Sequence, residues 1–127
     1  MINRKMLCGG LVGAVAAGAA WAAVTPSPKA YVVAEISVTD PEGYKAYVAA
    51  VTPVVAKFGG VYLARGGRTV AVEGAPPAGR IVVIQFPSME AASAFQASPE
   101  EEAAMAIRRR ASTGRQFIVE GAPVPPA

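Results

Sequence analysis

The amino-acid sequence predicts an α+β fold, in which helices cover one face of an antiparallel sheet, and three observations carry that prediction. Short β-prone segments at 30–38, 61–65, 80–86 and 116–120 are separated by stretches whose apolar residues recur at helical spacing. The order is β, α, β, β, α, β, with the second strand interrupted and the second helix split. The segment Arg80-Ile81-Val82-Val83-Ile84-Gln85-Phe86 is apolar on both faces, so neither face suits water.

A chain of 127 residues, 53% hydrophobic and 17% charged, has room for one compact domain. Its long apolar stretch is confined to the start. Arg4 and Lys5 precede an Ala- and Gly-rich run from Met6 to Ala23, and Thr25-Pro26-Ser27-Pro28 follows it. A basic start, an apolar centre and small residues before a breaker predict a signal peptide over 1–22, with Ala20-Trp21-Ala22 as an A-x-A cleavage site. An uncleaved membrane anchor is the competing reading, weakened by the many Ala and Gly residues. Cleavage would remove Arg4 and Lys5 from 12 basic residues, leaving ten against nine acidic and a net charge of +1. The only cysteine, Cys8, would leave with the leader, so a periplasmic or secreted bacterial protein without disulfides is expected.

The composition also removes function classes. There is no His, the commonest general base and the usual ligand of zinc or haem. A Ser or Cys hydrolase relying on His is excluded, and no carboxylate cluster has metal-ligand spacing. No metal or cofactor is therefore expected. A net charge of +1 with no basic stripe argues against nucleic acid, and no membrane contact is expected after leader removal.

Residues 23–29 read as a linker. In the first strand Val32, Ala34, Ile36 and Val38 form an apolar face, with Tyr31, Val33, Glu35 and Ser37 opposite. Asp40-Pro41 is a helix start, Asp to cap with its side chain and Pro at the first helical position. Tyr44, Tyr47, Val48, Val51, Val55 and Phe58 then form one stripe, ended by Gly59-Gly60, and Pro53 should bend this single helix. Residues 61–65, Gly66-Gly67 and 69–73 read as strand, interruption and strand, either a tight hairpin or one bulged strand. Residues 74–79 are a loop.

After the strand at 80–86, Ser88 should cap a short helix from Met89 to Ala97 that buries Ala92 and Phe95. Ser98-Pro99-Glu100-Glu101 has the full capping-box pattern for a second helix, running to about Ser112. Glu100 to Glu102 at its start and Arg108 to Arg110 at its end oppose the helix dipole, and the arginines read as a solvated face. A last strand at 116–120 and a disordered tail at 122–127 complete the chain, leaving 30–121 as the domain. Two β-α-β halves make the ferredoxin-like βαββαβ arrangement, with one sheet face bare. That face carries Tyr31, Val33, Ile81 and Val83, and a second copy of the same sheet is the expected cover, giving a homodimer.

The stretches Val38-Thr39-Asp40-Pro41-Glu42-Gly43-Tyr44, Phe58-Gly59-Gly60 leading to Leu63-Ala64-Arg65-Gly66-Gly67, 80–88, Ser98-Pro99-Glu100 and Val119-Glu120-Gly121 together resemble the family known as domain of unknown function 1330. The resemblance spans about residues 30–121. It implies a dimeric α+β barrel related in fold to small monooxygenases, lactone isomerases and haem-degrading enzymes, and it brings no established reaction. The chain departs from the pattern at Glu101 and Glu102, where aromatic and amide residues often stand.

Arg65, ending a strand beside two glycines, and Arg80, opening another, are placed to grip a carboxylate at the barrel mouth; the plainer alternative is a salt bridge with Glu73, Glu42 or Glu35. Tyr31 and Tyr62 are further candidates for a ligand site, whereas Tyr44 and Tyr47 fit core packing. Glu35 is the candidate proton acceptor if the protein is an enzyme. The sequence thus predicts an exported dimer that binds a small organic acid through Arg65 or Arg80. The alternative is a cofactor-independent enzyme of monooxygenase or isomerase type using Glu35 and a tyrosine. A purely structural interaction module is a third reading.

Overall fold

A computed structural model describes residues 26–125; the expected signal peptide, its cleavage site and the first part of the linker lie outside the described residues. Within the unit Ser27–Pro123 the elements are β1 (Ala30–Val38), α1 (Pro41–Lys57), β2 (Val61–Arg65), β3 (Arg80–Phe86), α2 (Met89–Ala97), α3 (Pro99–Ala111) and β4 (Ser112–Glu120). The strands form one antiparallel sheet in the order β2-β3-β1-β4. This is the predicted ferredoxin-like α+β arrangement.

Period-two alternation decides the two faces. Ala30, Val32, Ala34 and Ile36 of β1 are buried with Val82, Ile84 and Phe86 of β3, on the helix-covered side. Their neighbours Tyr31, Val33, Ile81 and Val83 remain half-exposed on the bare side. Val38 departs from the expected buried row and is 37% exposed. The β3 pairing of β1 ends at Ile36, so Val38 has a strand neighbour, β4, on one side only.

In α1 the buried stripe is Tyr44, Tyr47, Val51, Val54 and Val55, and the helix runs unbroken through Pro53. Asp40 does not cap with its side chain as expected. Instead the backbone N–H groups of Thr39 and Asp40 both donate to the Ala111 carbonyl, at 2.8 and 3.1 Å, tying the start of α1 to the end of α3. Gly59, at φ +79°, supplies the left-handed stop.

The predicted strand at 69–73 does not form: these residues belong to an exposed loop joining β2 to β3, and Val72 is 95% exposed. Gly66 is the cause. Its φ of +72° turns the chain out of the sheet directly after Arg65, so the glycine pair makes neither a hairpin turn nor a bulge in one long strand.

Ser88 accepts from the Ala91 N–H at 3.1 Å, and α2 buries Ala92 and Phe95 as expected. The capping box at α3 is half-formed. Ser98 Oγ accepts from the Glu101 N–H at 3.1 Å, but the Ser98 N–H donates to the Phe95 carbonyl, leaving nothing for the Glu101 carboxylate to accept there. β4 begins at Ser112, four residues before the predicted Gln116, and α3 ends at Ala111. Ser112-Thr113-Gly114 shows no apolar alternation; it joins the sheet because Gly114 lets the chain approach the Glu35 carbonyl, which a Cβ there would strike. No described helix is long and apolar enough to cross a membrane.

Candidate functional site

The helix-covered face of the sheet is not completely filled. Between it and α1 lies a narrow cleft with about 20 Å³ of free space, room for about one water molecule, that opens to solvent at its mouth. Val32, Ala34, Ile36, Val82 and Ile84 form its floor, and Tyr44, Tyr47 and Tyr62 stand around it. The charged lining residues are Arg65, Arg80 and Arg108; no Asp or Glu lines the cleft.

Each guanidinium is set against one tyrosine. Arg65 Cζ lies 3.9 Å from the Tyr62 ring centroid, Arg80 Cζ 5.1 Å from Tyr44, and Arg108 Cζ 5.7 Å from Tyr47. The Tyr44 and Tyr47 rings are themselves 5.4 Å apart. A ring face attracts a cation without neutralising it, so these contacts orient the guanidinia and leave their charge for a ligand. Burial pushes the Tyr47 phenol up to about 12 and also raises Tyr62, so Tyr47 remains a hydrogen-bond donor near neutral pH.

The three arginines are held differently. Arg65, exposed at the end of β2, donates from Nη2 to Thr52 Oγ1 at 2.7 Å, and Thr52 in turn donates to the Val48 carbonyl of α1 at 2.6 Å. Arg80 packs on Gly66, where a Cβ would lie 2.5 Å from its Nη2, and its buried Nε has no partner. Arg108, 7% exposed, donates from Nη1 to Gln116 Oε1 at 2.5 Å, and Gln116 Nε2 donates to Gln96 Oε1.

Of the residues singled out from the sequence, Arg65, Arg80 and Tyr62 come together at this cleft. Tyr31 and Glu35 lie across the sheet from it, on the bare face, with Glu35 Oε1 3.6 Å from Arg115 Nε. The salt bridges considered for Arg65 and Arg80 do not form; Glu42 pairs with Lys45 instead. Tyr44 and Tyr47 are buried as expected, and they also line the cleft.

Arg108 corrects the reading of 108–110 as a wholly solvated face. Its signal was present in the sequence: Glu101, Ala104, Arg108 and Ala111 follow one another at three, four and three residues, the buried stripe of α3. Gln96 and Gln116 carried no such signal. Glu101 is 1% exposed, its Oε2 lacks a partner, and burial pushes its carboxyl up to about 7 against the pull of Arg108 and Arg109. Among the described residues no group of three or more His, Cys, Asp or Glu is placed to hold a metal.

The family model described as domain of unknown function (DUF1330) matches residues 29–122. No curated protein matches significantly. Among solved structures, a protein of unknown function from Rhodopseudomonas palustris superposes with a TM-score of 0.58 at 18% identity, covering 77% of this chain and 85% of its own. SnoaB, a cofactor-independent oxygenase from Streptomyces nogalater, gives 0.53 at 15% identity, covering 80% of this chain and 100% of its own. A hypothetical protein of Arabidopsis thaliana gives 0.53 at 18%, over 78% and 90%. These likenesses establish a shared fold.

Proposed function

Because the chain belongs to the DUF1330 family, whose description names no activity, we propose from the cleft itself that the protein binds a small organic anion, held by Arg65 and Arg80. One observation carries the reading. Three arginines border a cleft with no acidic residue in its lining, and the buried Nε of Arg80 makes no hydrogen bond to the protein. Arg80 is half-buried, so its guanidinium keeps some contact with water, but the covered Nε–H without a partner is costly, and a carboxylate that accepts two parallel N–H bonds from Nε and an Nη offsets that cost. The tyrosines around the cleft suit a small organic body attached to the carboxylate.

Thermal unfolding in the presence of acetate, butyrate, hexanoate and benzoate tests this. At about 100 times its dissociation constant a ligand adds about 2.7 kcal/mol, a rise of many degrees for a domain of this size. Arg80→Met should abolish the rise. If no small carboxylate stabilises the wild-type chain at tens of millimolar, the reading fails.

The enzyme alternative rests on Glu35, and its placement supports binding over chemistry. A base on the far side of a sheet, beside Arg115, has no path to a molecule held among Tyr44, Tyr47 and Tyr62. SnoaB's activity belongs to SnoaB; 15% identity carries the fold alone. The reading also includes export to the periplasm or exterior and a homodimer through the bare sheet face. An N-terminus beginning at Ala23 in protein purified from its own cells would support export.

A further inference from the structure

The floor of the cleft has two polar ends. Arg65 pairs with Val82, Val82 with Ala34, and Ala34 with Gln116, so these four residues form one row across β2, β3, β1 and β4 on the helix-covered face. Arg65 with the nearby Arg80 makes one end; Gln116 with Arg108 makes the other; Val82 and Ala34 between them are apolar. Three strand spacings separate the Cα atoms of Arg65 and Gln116 by about 14 Å, and both side chains are long enough to shorten that gap.

Arg108 is the less obvious half. It is 7% exposed, its hydrogen bond goes to a neutral amide, and the ion pairs among the described residues use Lys45, Lys57 and Arg115 instead. The nearest acidic group on its own helix face, Glu101, lies two turns away; the two charges attract, but no ion pair forms between them. A guanidinium has five N–H donors in a fixed fork, and the amide takes only one of them. The chain from Arg108 through Gln116 to Gln96 fixes the guanidinium without discharging it.

We infer that the ligand is a diacid: one carboxylate on Arg65 and Arg80, a second on Arg108 beside the Tyr47 hydroxyl, and an apolar middle lying over Val82 and Ala34. The inference rests on the cleft being an anion site and goes further by fixing the ligand class. The span between the two ends matches a diacid of roughly four to six carbons in length; the closed cleft holds only about 20 Å³, so binding requires the exposed Arg65 and the half-buried Tyr62 at its mouth to move aside.

Calorimetry on the wild-type chain separates the two claims. Glutarate, adipate and terephthalate are compared with butyrate, hexanoate and benzoate, which have similar apolar bodies and one carboxylate fewer. Each diacid should bind about tenfold or more tightly than its partner. Arg108→Gln should weaken the diacids by about tenfold or more beyond any loss for the monoacids, and Arg80→Met should weaken both sets. Equal wild-type affinities for the two sets, or an equal loss of both in Arg108→Gln, would overturn the diacid inference and leave the anion site standing. Absence of binding by either set would overturn both. Should Arg108→Gln not fold, the wild-type ratio still decides, and Gln116→Leu, which releases Arg108 from its amide partner, should lower that ratio.

Discussion

Two charged residues on one face of α3 show how far a single side chain was readable. Helical spacing groups Glu101 and Arg108 with Ala104 and Ala111, yet both belong to runs of like charge that ordinarily mark a solvated face. The stripe prevails because α3 packs its small alanines against α1, drawing the residues in register with them inward. For Glu101 this has a measurable consequence. Its carboxyl sits at about 7 in the folded chain, above the ordinary 4.5, so between those values the folded chain holds a proton that the unfolded chain has released. The penalty for burying the charge is absent below the unfolded value, grows as pH rises through that window and is complete above about 7. Glu101→Gln should therefore be more stable than wild type at pH 8, by up to roughly 3 kcal/mol, with the difference shrinking toward pH 5. Urea unfolding of both proteins at several pH values gives the answer. A difference that stays constant with pH would mean that Glu101 is not a buried titrating group.

Elements were legible where a local physical cause acts alone. The alternation in β1 and β3, the stripe of α1 and the serine cap of α2 each need only neighbouring residues, and each forms, with Val38 leaving the buried row of β1 and Val54 joining the stripe of α1 while Val48 and Phe58 stay at its margin. Elements were misread where a distant partner or a backbone angle decides. Ser112-Thr113-Gly114 becomes strand because β1 runs alongside it, and 69–73 becomes loop because Gly66 takes a positive φ that no residue type announces unambiguously. The cleft inherits this division: Arg65, Arg80 and Tyr62 stand at strand ends that alternation places, whereas Gln96 and Arg108 meet Gln116 only through packing of the helices on the sheet. Gly66 links the two scales. Gly66→Ala would carry a strained left-handed backbone and push on Arg80, so it should lose about 1 kcal/mol or more of stability and also weaken carboxylate binding. Ser98 gives the matching control at an element junction. Its hydroxyl accepts from the Glu101 N–H and donates to the Phe95 carbonyl at 2.7 Å, joining α2 to α3. Ser98→Ala should lower the melting temperature by several degrees, corresponding to about 1 kcal/mol, without altering carboxylate affinity. If both variants lost binding in proportion to stability, the specific role of Gly66 would be refuted.

Among the described residues the sheet has one covered face and one open face. Helices cover the side bearing the cleft, while the other side presents Tyr31, Val33, Ile81 and Val83, with Phe117 and Val119 of β4 at 50% and 46% exposure. In the register of the sheet Val33 stands between Val83 and Phe117, so the apolar residues are contiguous across three strands. A contiguous patch of this kind is what a twofold partner of the same shape covers, and burying it costs no unpaired backbone group because the strands are already hydrogen-bonded to one another. Phe117→Glu tests the proposed homodimer at little risk to the fold, since half of that side chain is open to water in the single chain. Sedimentation at micromolar concentration should give a dimer for wild type and a monomer for the variant; a wild-type monomer of undiminished stability would refute self-association. The cleft makes a further demand on the same variant. The sheet separates the cleft from the patch. A monomeric Phe117→Glu should therefore bind carboxylates as the dimer does, within about twofold. If affinity fell with the dimer, a segment of the second copy would have to complete the site, and a cleft sufficient within one chain would be the wrong description.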